Sequence, residues 1–195
     1  MDLDPVTLDG EYVRLEPLAS EDHLADLRAA GAHPEIFRWF TADHSSPEAM
    51  AAFVHEAIDA RDDGTALPFA TVLTETGDAI GSTRFGNVSP EHRRVEIGWT
   101  WLTPDQQRTR ANTEAKYLMF RHAFEAWDCR RVELKTDSRN RRSRAAIERV
   151  GATEEGILRK HMQTHQGPRD TVYFSVLDAE WPSVKADLEA KLAGR

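Results

Sequence analysis

The nine residues Arg94 to Leu102 constrain this chain more than any others. Val95, Ile97, Trp99 and Trp101 alternate with Glu96, Gly98 and Thr100. A period of two is how a strand presents one apolar and one polar face. Pro104 ends the run. Thr113 to Trp127 follows, with Ala115, Leu118, Met119 and Ala126 on one helical face. The switch recurs where Arg131 to Thr136 alternates and leads into a helix over Asn140 to Val150, capped by Asn140 and stopped by Gly151. Strands that run into helices in this way belong to layered α/β domains.

The flanking segments fix the class further. Tyr12 to Glu16 reads as a strand. A helix after Ser20, with Leu24, Leu27 and Arg28 on its stripe, closes at Gly31. Pro34 to Phe40 reads as a short helix, and Ser46-Pro47-Glu48 opens a longer one with Met50, Phe53, Val54 and Ile58 inward. Phe69 to Thr74 and Ala79 to Phe85 form a hairpin around Gly77-Asp78. Two late strands, Gly156 to Gln163 and Asp170 to Leu177, flank Gly167-Pro168, and Trp181-Pro182 begins the last helix. Hairpins and crossovers in one chain predict an α/β (α+β) fold with a mixed sheet, not a doubly wound parallel one. The 195 residues suit a single domain over 1–195, with a core at about 12–178 and a C-terminal helix at about 181–193.

Composition narrows the function classes. A chain of this length buries roughly 70% of its unfolded surface and needs no disulfide or structural metal. Cys129 is the only cysteine, which excludes an internal disulfide and a cysteine-built zinc site and suggests a reducing, cytoplasmic setting. Apolar runs are a few residues long, and the start Met1-Asp2-Leu3-Asp4-Pro5 is acidic. Neither a membrane partner nor a secretory signal is expected. The net charge of −8 argues against nucleic acid as a partner. Charge is uneven, however. Asp105 to Ala145 holds eleven Lys or Arg against six Asp or Glu. A basic middle in an acidic chain suits an anionic ligand there; the plain alternative is solvated helix faces.

Both strand-to-helix units carry candidate chemistry. Gln107 to Glu114 brings Arg108 and Arg110 to a helix start, where free amides and the helix dipole favour phosphate; a capped helix with two surface arginines would look the same. Asn140 and Ser143 lie in the first turn of the next helix. They read equally as an N-cap and an ordinary early-helix serine. Arg139 to Arg144 could also form an RNA- or ribosome-binding patch.

The ordered set Val13-Arg14-Leu15-Glu16-Pro17-Leu18, Gly81-Ser82-Thr83-Arg84, Val95-Glu96-Ile97-Gly98-Trp99-Thr100-Trp101-Leu102, Asn112-Thr113-Glu114-Ala115-Lys116, His122-Ala123-Phe124-Glu125, Arg131 to Asp137, Asn140 to Glu148 and Arg169 to Leu177 resembles the GCN5-related N-acetyltransferase superfamily, in its Rim-type, ribosomal-protein acetyltransferase-like subgroup. The resemblance covers about Tyr12 to Leu192. It implies the acyl-CoA N-acyltransferase fold, a central mixed sheet of about seven strands with two parallel strands splayed apart, and acetyl-CoA bound in the splay as co-substrate without a metal. It implies an enzyme that moves the acetyl group directly to a primary amine, either a protein N-terminus or a small cationic amine such as an antibiotic. A non-catalytic CoA-binding scaffold is the alternative, and a homodimer is compatible with the family.

By the same resemblance, Trp101, Leu102 and Thr103 lie along the pantetheine arm. Gln107, Arg108, Thr109, Arg110, Ala111, Asn112 and Thr113 surround the pyrophosphate. Arg110 and Asn112 stand where the family pattern has small residues, so Arg110 calls for a right-handed or extended backbone. Asn140 would hydrogen-bond the pantetheine. Glu96 is the implied general base and Ser143 the group that stabilises the thiolate; the plain alternative for Glu96 is a half-exposed carboxylate paired with an arginine. His161 is an alternative base and Tyr173 another candidate near the leaving group. Phe37, Arg38, Trp39 and Phe40 fall at the acceptor wall, with Phe69, Arg84, Trp99 and His161 as further candidates. An aromatic cluster can equally be core. The acidic remainder of the chain favours a cationic amine by steering.

Overall fold

Eight strands form one mixed sheet in the computed structural model, which describes residues 1–194. They are β1 (Leu8–Asp9), β2 (Val13–Pro17), β3 (Leu67–Leu73), β4 (Ala79–Ser89), β5 (Arg94–Leu102), β6 (Arg131–Asp137), β7 (Thr153–Thr164) and β8 (Gly167–Leu177). The helices are α1 (Ser20–Ala30), α2 (Pro47–Asp62), α3 (Ala111–Arg121), α4 (Arg141–Arg149) and α5 (Trp181–Ala193). The spatial order is β1-β2-β3-β4-β5-β6-β8-β7. Every adjacent pair is antiparallel except β5 and β6. The two-residue β1 is added to the seven strands read from the sequence. It is too short to show a period. Between α1 and α2 only Pro34–Ile36 is helical, as one 3₁₀ turn, and α3 continues into a π turn over His122–Ala126. No helix among the described residues is long and apolar enough to cross a membrane.

The parallel pair meets over three residues only: Arg94 with Arg131, Val95 with Val132 and Glu96 with Glu133. Beyond Glu96 the strands part. β5 stays on β4 through Gly98, Trp101 and Leu102, and β6 stays on β8 to Asp137. Each strand keeps one neighbour, and a wedge opens between them.

A bulge in β5 changes which face its side chains occupy. Gly98 pairs with Arg84 and Trp101 with Ser82, so Trp99 and Thr100 together oppose Thr83. Trp99 has φ +52°, a conformation that costs an aromatic residue about 1–3 kcal/mol and persists only where the surroundings fix it. The alternation predicted from the sequence is therefore broken. Val95 and Ile97 pack in the layer with α3 and α5, whereas Trp101 packs with α1 and α2 and Trp99 lies against that second layer. The Trp99 ring covers Gly86, where an added Cβ would stand 2.6 Å from it. It also stacks on Arg84 at 4.8 Å.

Two apolar layers sandwich the sheet. Leu118, Met119, Ile147 and Leu188 lie on one side, and Leu27, Met50, Phe53 and Val54 on the other. The start of β2 is fastened to α3 by the buried Glu114. Its Oε1 accepts from the Glu11 amide (2.9 Å), and its Oε2 from those of Tyr12 (2.8 Å) and Val13 (2.6 Å). Hydrogen bonds to a charged group contribute about 1.5–3 kcal/mol each, and rehydration of the outer amide offsets part of this. Glu114→Ala is expected to lower stability in urea unfolding by roughly 3 kcal/mol. Glu114→Gln, which keeps one acceptor oxygen, should lose less. Equal midpoints for Glu114→Ala and wild type would show that this fastening contributes nothing.

Candidate active site

The wedge between β5 and β6 is the floor of a cleft of about 540 Å³. Its two limbs each run into a helix start. On the β5 side, Pro104–Gln106 forms a 3₁₀ turn and α3 begins at Ala111. On the β6 side, α4 begins at Arg141, and the Asn140 side chain caps it by accepting from the Ser143 amide (3.1 Å). The cap engages Oδ1 and leaves the Asn140 amide group as a donor on a residue that lines the cleft. Both limbs thus bring first-turn N–H groups and a positive dipole end to one opening.

The loop before α3 is tied down by its own side chains. Gln107 Nε2 donates to the Leu102 carbonyl (2.9 Å), and Thr109 Oγ1 donates to the Gln106 carbonyl (2.9 Å) while accepting from the Ala111 amide (3.1 Å). Arg110 has φ −74° and ψ −13°, so an arginine fits there without strain. The left-handed position is Arg108, with φ +67°. Arg142 reaches from α4 to Gln107 Oε1 (2.8 Å), and Arg149 to Thr113 Oγ1 (2.6 Å). These contacts join the two helices around the opening. Within the basic run, Arg139 pairs with Asp137 and Arg144 with Glu154.

At the apex of the wedge lies Glu96. It is buried, lines the cleft and pairs with a lysine: Lys135 Nζ is 2.9 Å from Oε2, and Asn87 Nδ2 donates to the same oxygen (2.6 Å). The half-exposed carboxylate with an arginine partner is therefore not what forms. Gly98 makes room for this carboxylate itself, since a Cβ there would stand 2.9 Å from Oε1. Ser143 is half-buried on the opposite limb and lines the same cleft.

The remaining candidates divide by position. Trp101, Leu102, Gln107, Arg108, Thr109, Asn112, Trp39, Phe40 and Trp99 line the cleft, and Thr103, Arg110, Ala111 and Thr113 flank it in the same loop and helix start. Phe37 and Phe69 are fully buried core residues; Phe37 packs edge-on against Phe40 and Trp101. Arg84 is buried behind the cleft wall, between the Phe53 and Trp99 rings, and burial lowers its pKa to about 10. His161 is exposed on β7 in a separate hollow, against the ring of the half-buried Tyr173.

Sequence reasoning missed Lys116, Lys135 and Arg169, all of which line the cleft. The one signal for Lys135 was its place in an alternating strand. Lys116 carries no signal beyond its place in the helical stretch Thr113 to Trp127. It is buried beneath the β5 bulge, with Nζ 2.6 Å from Thr100 Oγ1 and 3.3 Å from Thr83 Oγ1. Among the described residues, no carboxylate pairs with it at 4.0 Å or less. Three or more His, Cys, Asp or Glu side chains are nowhere grouped as a metal site among the described residues.

Residues 13–153 match the family described as Acetyltransferase (GNAT) domain. The chain belongs to the GNAT acetyltransferase family. It is 31% identical over 113 residues to YdaF of Bacillus subtilis, a protein provisionally named as a ribosomal N-acetyltransferase; the match covers 58% of this chain and 61% of YdaF. The fold matches a GCN5-related N-acetyltransferase from Brucella melitensis with a TM-score of 0.88 and 32% identity, covering 95% of this chain and 84% of that one. It also matches Mycobacterium smegmatis RimJ in complex with CoA-disulfide, with a TM-score of 0.81 and 24% identity over 98% and 93% of the two chains. Similarity to YdaF supports the Rim-type subgroup, and the likeness to RimJ is one of fold. As a GNAT acetyltransferase, the chain is an acetyl-transferring enzyme.

Lys116 gives this site a pH signature in stability. Burial lowers its pKa to about 7, against about 10.4 in an unfolded chain. Between those values the unfolded state binds more protons, so stability rises with pH; below about pH 7 the folded state carries the full cost of a buried charge. Wild type should therefore gain on Lys116→Met between pH 7 and 9.5, by on the order of 1 kcal/mol per pH unit, in parallel urea titrations. A pH-independent difference would show that Lys116 stays charged in the folded state throughout the window.

Proposed function

We propose that this chain transfers the acetyl group of acetyl-CoA directly to a primary amine within the β5–β6 wedge. The observation that carries this reading is the unpartnered edge of β5 beyond Glu96, which ends at the amide-rich start of α3. An edge of this kind can hydrogen-bond the amides of a pantetheine arm as it would another strand. The residues present fit acetyl-CoA in its other parts as well. First-turn amides of α3, with Arg108 and Arg110, suit the pyrophosphate. The Asn140 amide suits a pantetheine carbonyl.

Chemistry then falls at the apex. The amine nitrogen attacks the acetyl carbonyl, a C–N bond forms and the C–S bond breaks. The proton shed by the nitrogen passes to Glu96, directly or through one water. Both neighbours of Glu96 engage Oε2, which leaves Oε1 for this task. Ser143, at the dipole-positive start of α4, stabilises the departing thiolate. Trp39, Phe40 and Trp99 shape the acceptor side, which would receive a protein N-terminus or a small amine.

Thiol release from acetyl-CoA across an amine panel tests the reading. On any accepted amine, Glu96→Gln should lower kcat by about 10²–10⁴-fold with acetyl-CoA binding retained, and Ser143→Ala should lower kcat across the whole pH range. If both variants turn over like wild type, these roles are misassigned. Replacing Arg108 and Arg110 together by Ala should weaken acetyl-CoA by at least about tenfold in calorimetry, since a charge-assisted contact contributes about 1.5–3 kcal/mol. Unchanged affinity would make the two arginines surface charge.

A further inference from the structure

Glu96, Lys135, Asp137 and Arg169 share one face of the sheet at the acceptor side of the cleft, as the registers of β5, β6 and β8 require. These four charges cancel, but Arg139 joins them as a third cation by pairing with Asp137. Lys135 pairs with Glu96 at 2.9 Å, and Arg139 clasps Asp137 with contacts of 3.0 and 2.8 Å. Arg169 is the cation left over. It is 7% exposed and lines the cleft beside Trp39, Phe40, Thr41 and Met162. Among the described residues no carboxylate lies within 4.0 Å of its nitrogens; Asp137 and Glu96 act on it only from farther away. Its Nε has no hydrogen-bond partner, and Nη1 reaches only the Trp39 carbonyl, at 3.5 Å. Two residues along the same face of β8, Thr171 Oγ1 is also buried and unpartnered.

A buried guanidinium without a counter-ion is costly, and so is a buried hydroxyl without a partner. Acetyl transfer as derived above uses neither. Both are donors, and both call for oxygen. Resting on the acetyltransferase reading, we propose that Arg169 binds a carboxylate of the acceptor, so that the site takes an amine bearing its own carboxylate in preference to a polyamine or an aminosugar. The ligand chemistry is that of an amino-acid zwitterion or of a peptide amino end with an acidic side chain beside it. A carboxylate at Arg169 restores the charge balance of the face and opposes the desolvation that now lowers the pKa of this arginine. It also reverses the expectation, drawn from overall charge, of a purely cationic acceptor. The acidic surface governs approach, whereas Arg169 governs what is held.

The test is steady-state thiol release with acetyl-CoA and matched acceptor pairs. One arm uses the protein amino acids as free acids and as carboxamides. The other uses C-terminally amidated tetrapeptides beginning Ser-Glu or Ser-Gln. Acids should exceed their amides by at least about tenfold in kcat/KM, carried mainly in KM, as one charge-assisted contact predicts. A preference confined to free acids identifies the amino-acid source, and one confined to Ser-Glu the peptide source. Arg169→Met should abolish the acid–amide ratio while leaving KM for acetyl-CoA unchanged, and Arg169→Lys should retain part of it. If Arg169→Met does not fold, the wild-type ratio alone decides. Equal use of acid and amide, or faster turnover of spermidine, overturns the inference. Acetyl-CoA that binds in calorimetry without turnover of any acid also overturns it and leaves the acetyltransferase reading standing. Loss of acetyl-CoA binding itself would overturn that reading as well.

Discussion

The site depends on the brevity of the β5–β6 pairing. Three residue pairs hold the strands together, and then each continues on its other neighbour. Because β4 supports one limb and β8 the other, the sheet can open in its middle without losing either strand. Opening leaves backbone donors and acceptors of β5 facing a gap, in the part of a sheet where pairing is usually complete. The same divergence spaces the starts of α3 and α4, so two sets of first-turn amides converge on one cleft. Cross-links such as Arg142 to Gln107 and Arg149 to Thr113 then hold the helices at a fixed separation.

Local signals were legible where one residue determines them. Ser46 caps α2, Asn140 caps α4, and Gly151 follows α4 with φ +94°. The hairpin of β3 and β4 and the alternation of β6 were likewise readable. What the periodicity could not show is the bulge at Trp99. A tryptophan in the left-handed region carries no compositional mark, and strict alternation is what the sequence displays. The reversal comes from tertiary partners: Gly86 beneath the ring, Arg84 stacked upon it and Thr83 opposite two residues in place of one. The splay is also invisible in the periodicity. It came from resemblance, since no single strand records how far its neighbour accompanies it.

Site residues follow the same division. Glu96, Asn140 and Ser143 were reached through ordered motifs, and the structure gathers them around one cleft. Phe37 and Phe69 share the aromatic character of Trp39 and Phe40, yet pack into the core. Aromatic content alone cannot distinguish wall from interior. Lys135 lies on a strand whose alternation was legible, whereas Arg169 falls just before the strand expected from Asp170 and belongs to β8 in the structure. Arg169 is buried and reaches the Trp39 carbonyl, and Lys135 is half-buried against Glu96. Their significance is in the pairing pattern, which leaves one cation unmatched, and pairing across strands far apart in the chain is not written in any one of them.

The bulge also accounts for polar side chains in an otherwise apolar layer. By shifting the phase of β5, it turns Thr100 toward α3, where Thr83 and Met119 already lie. A hydroxyl placed there needs a partner. The two threonine oxygens meet at 2.7 Å, and Lys116 reaches both from the next helical layer. A leucine at 116 would leave the Thr83–Thr100 pair with one acceptor set unused. A carboxylate there would supply no donor. An amine whose pKa lies near 7 can donate in either protonation state, and when neutral it does so without burying a charge. The buried lysine thus follows from the left-handed tryptophan on the opposite face of the same strand.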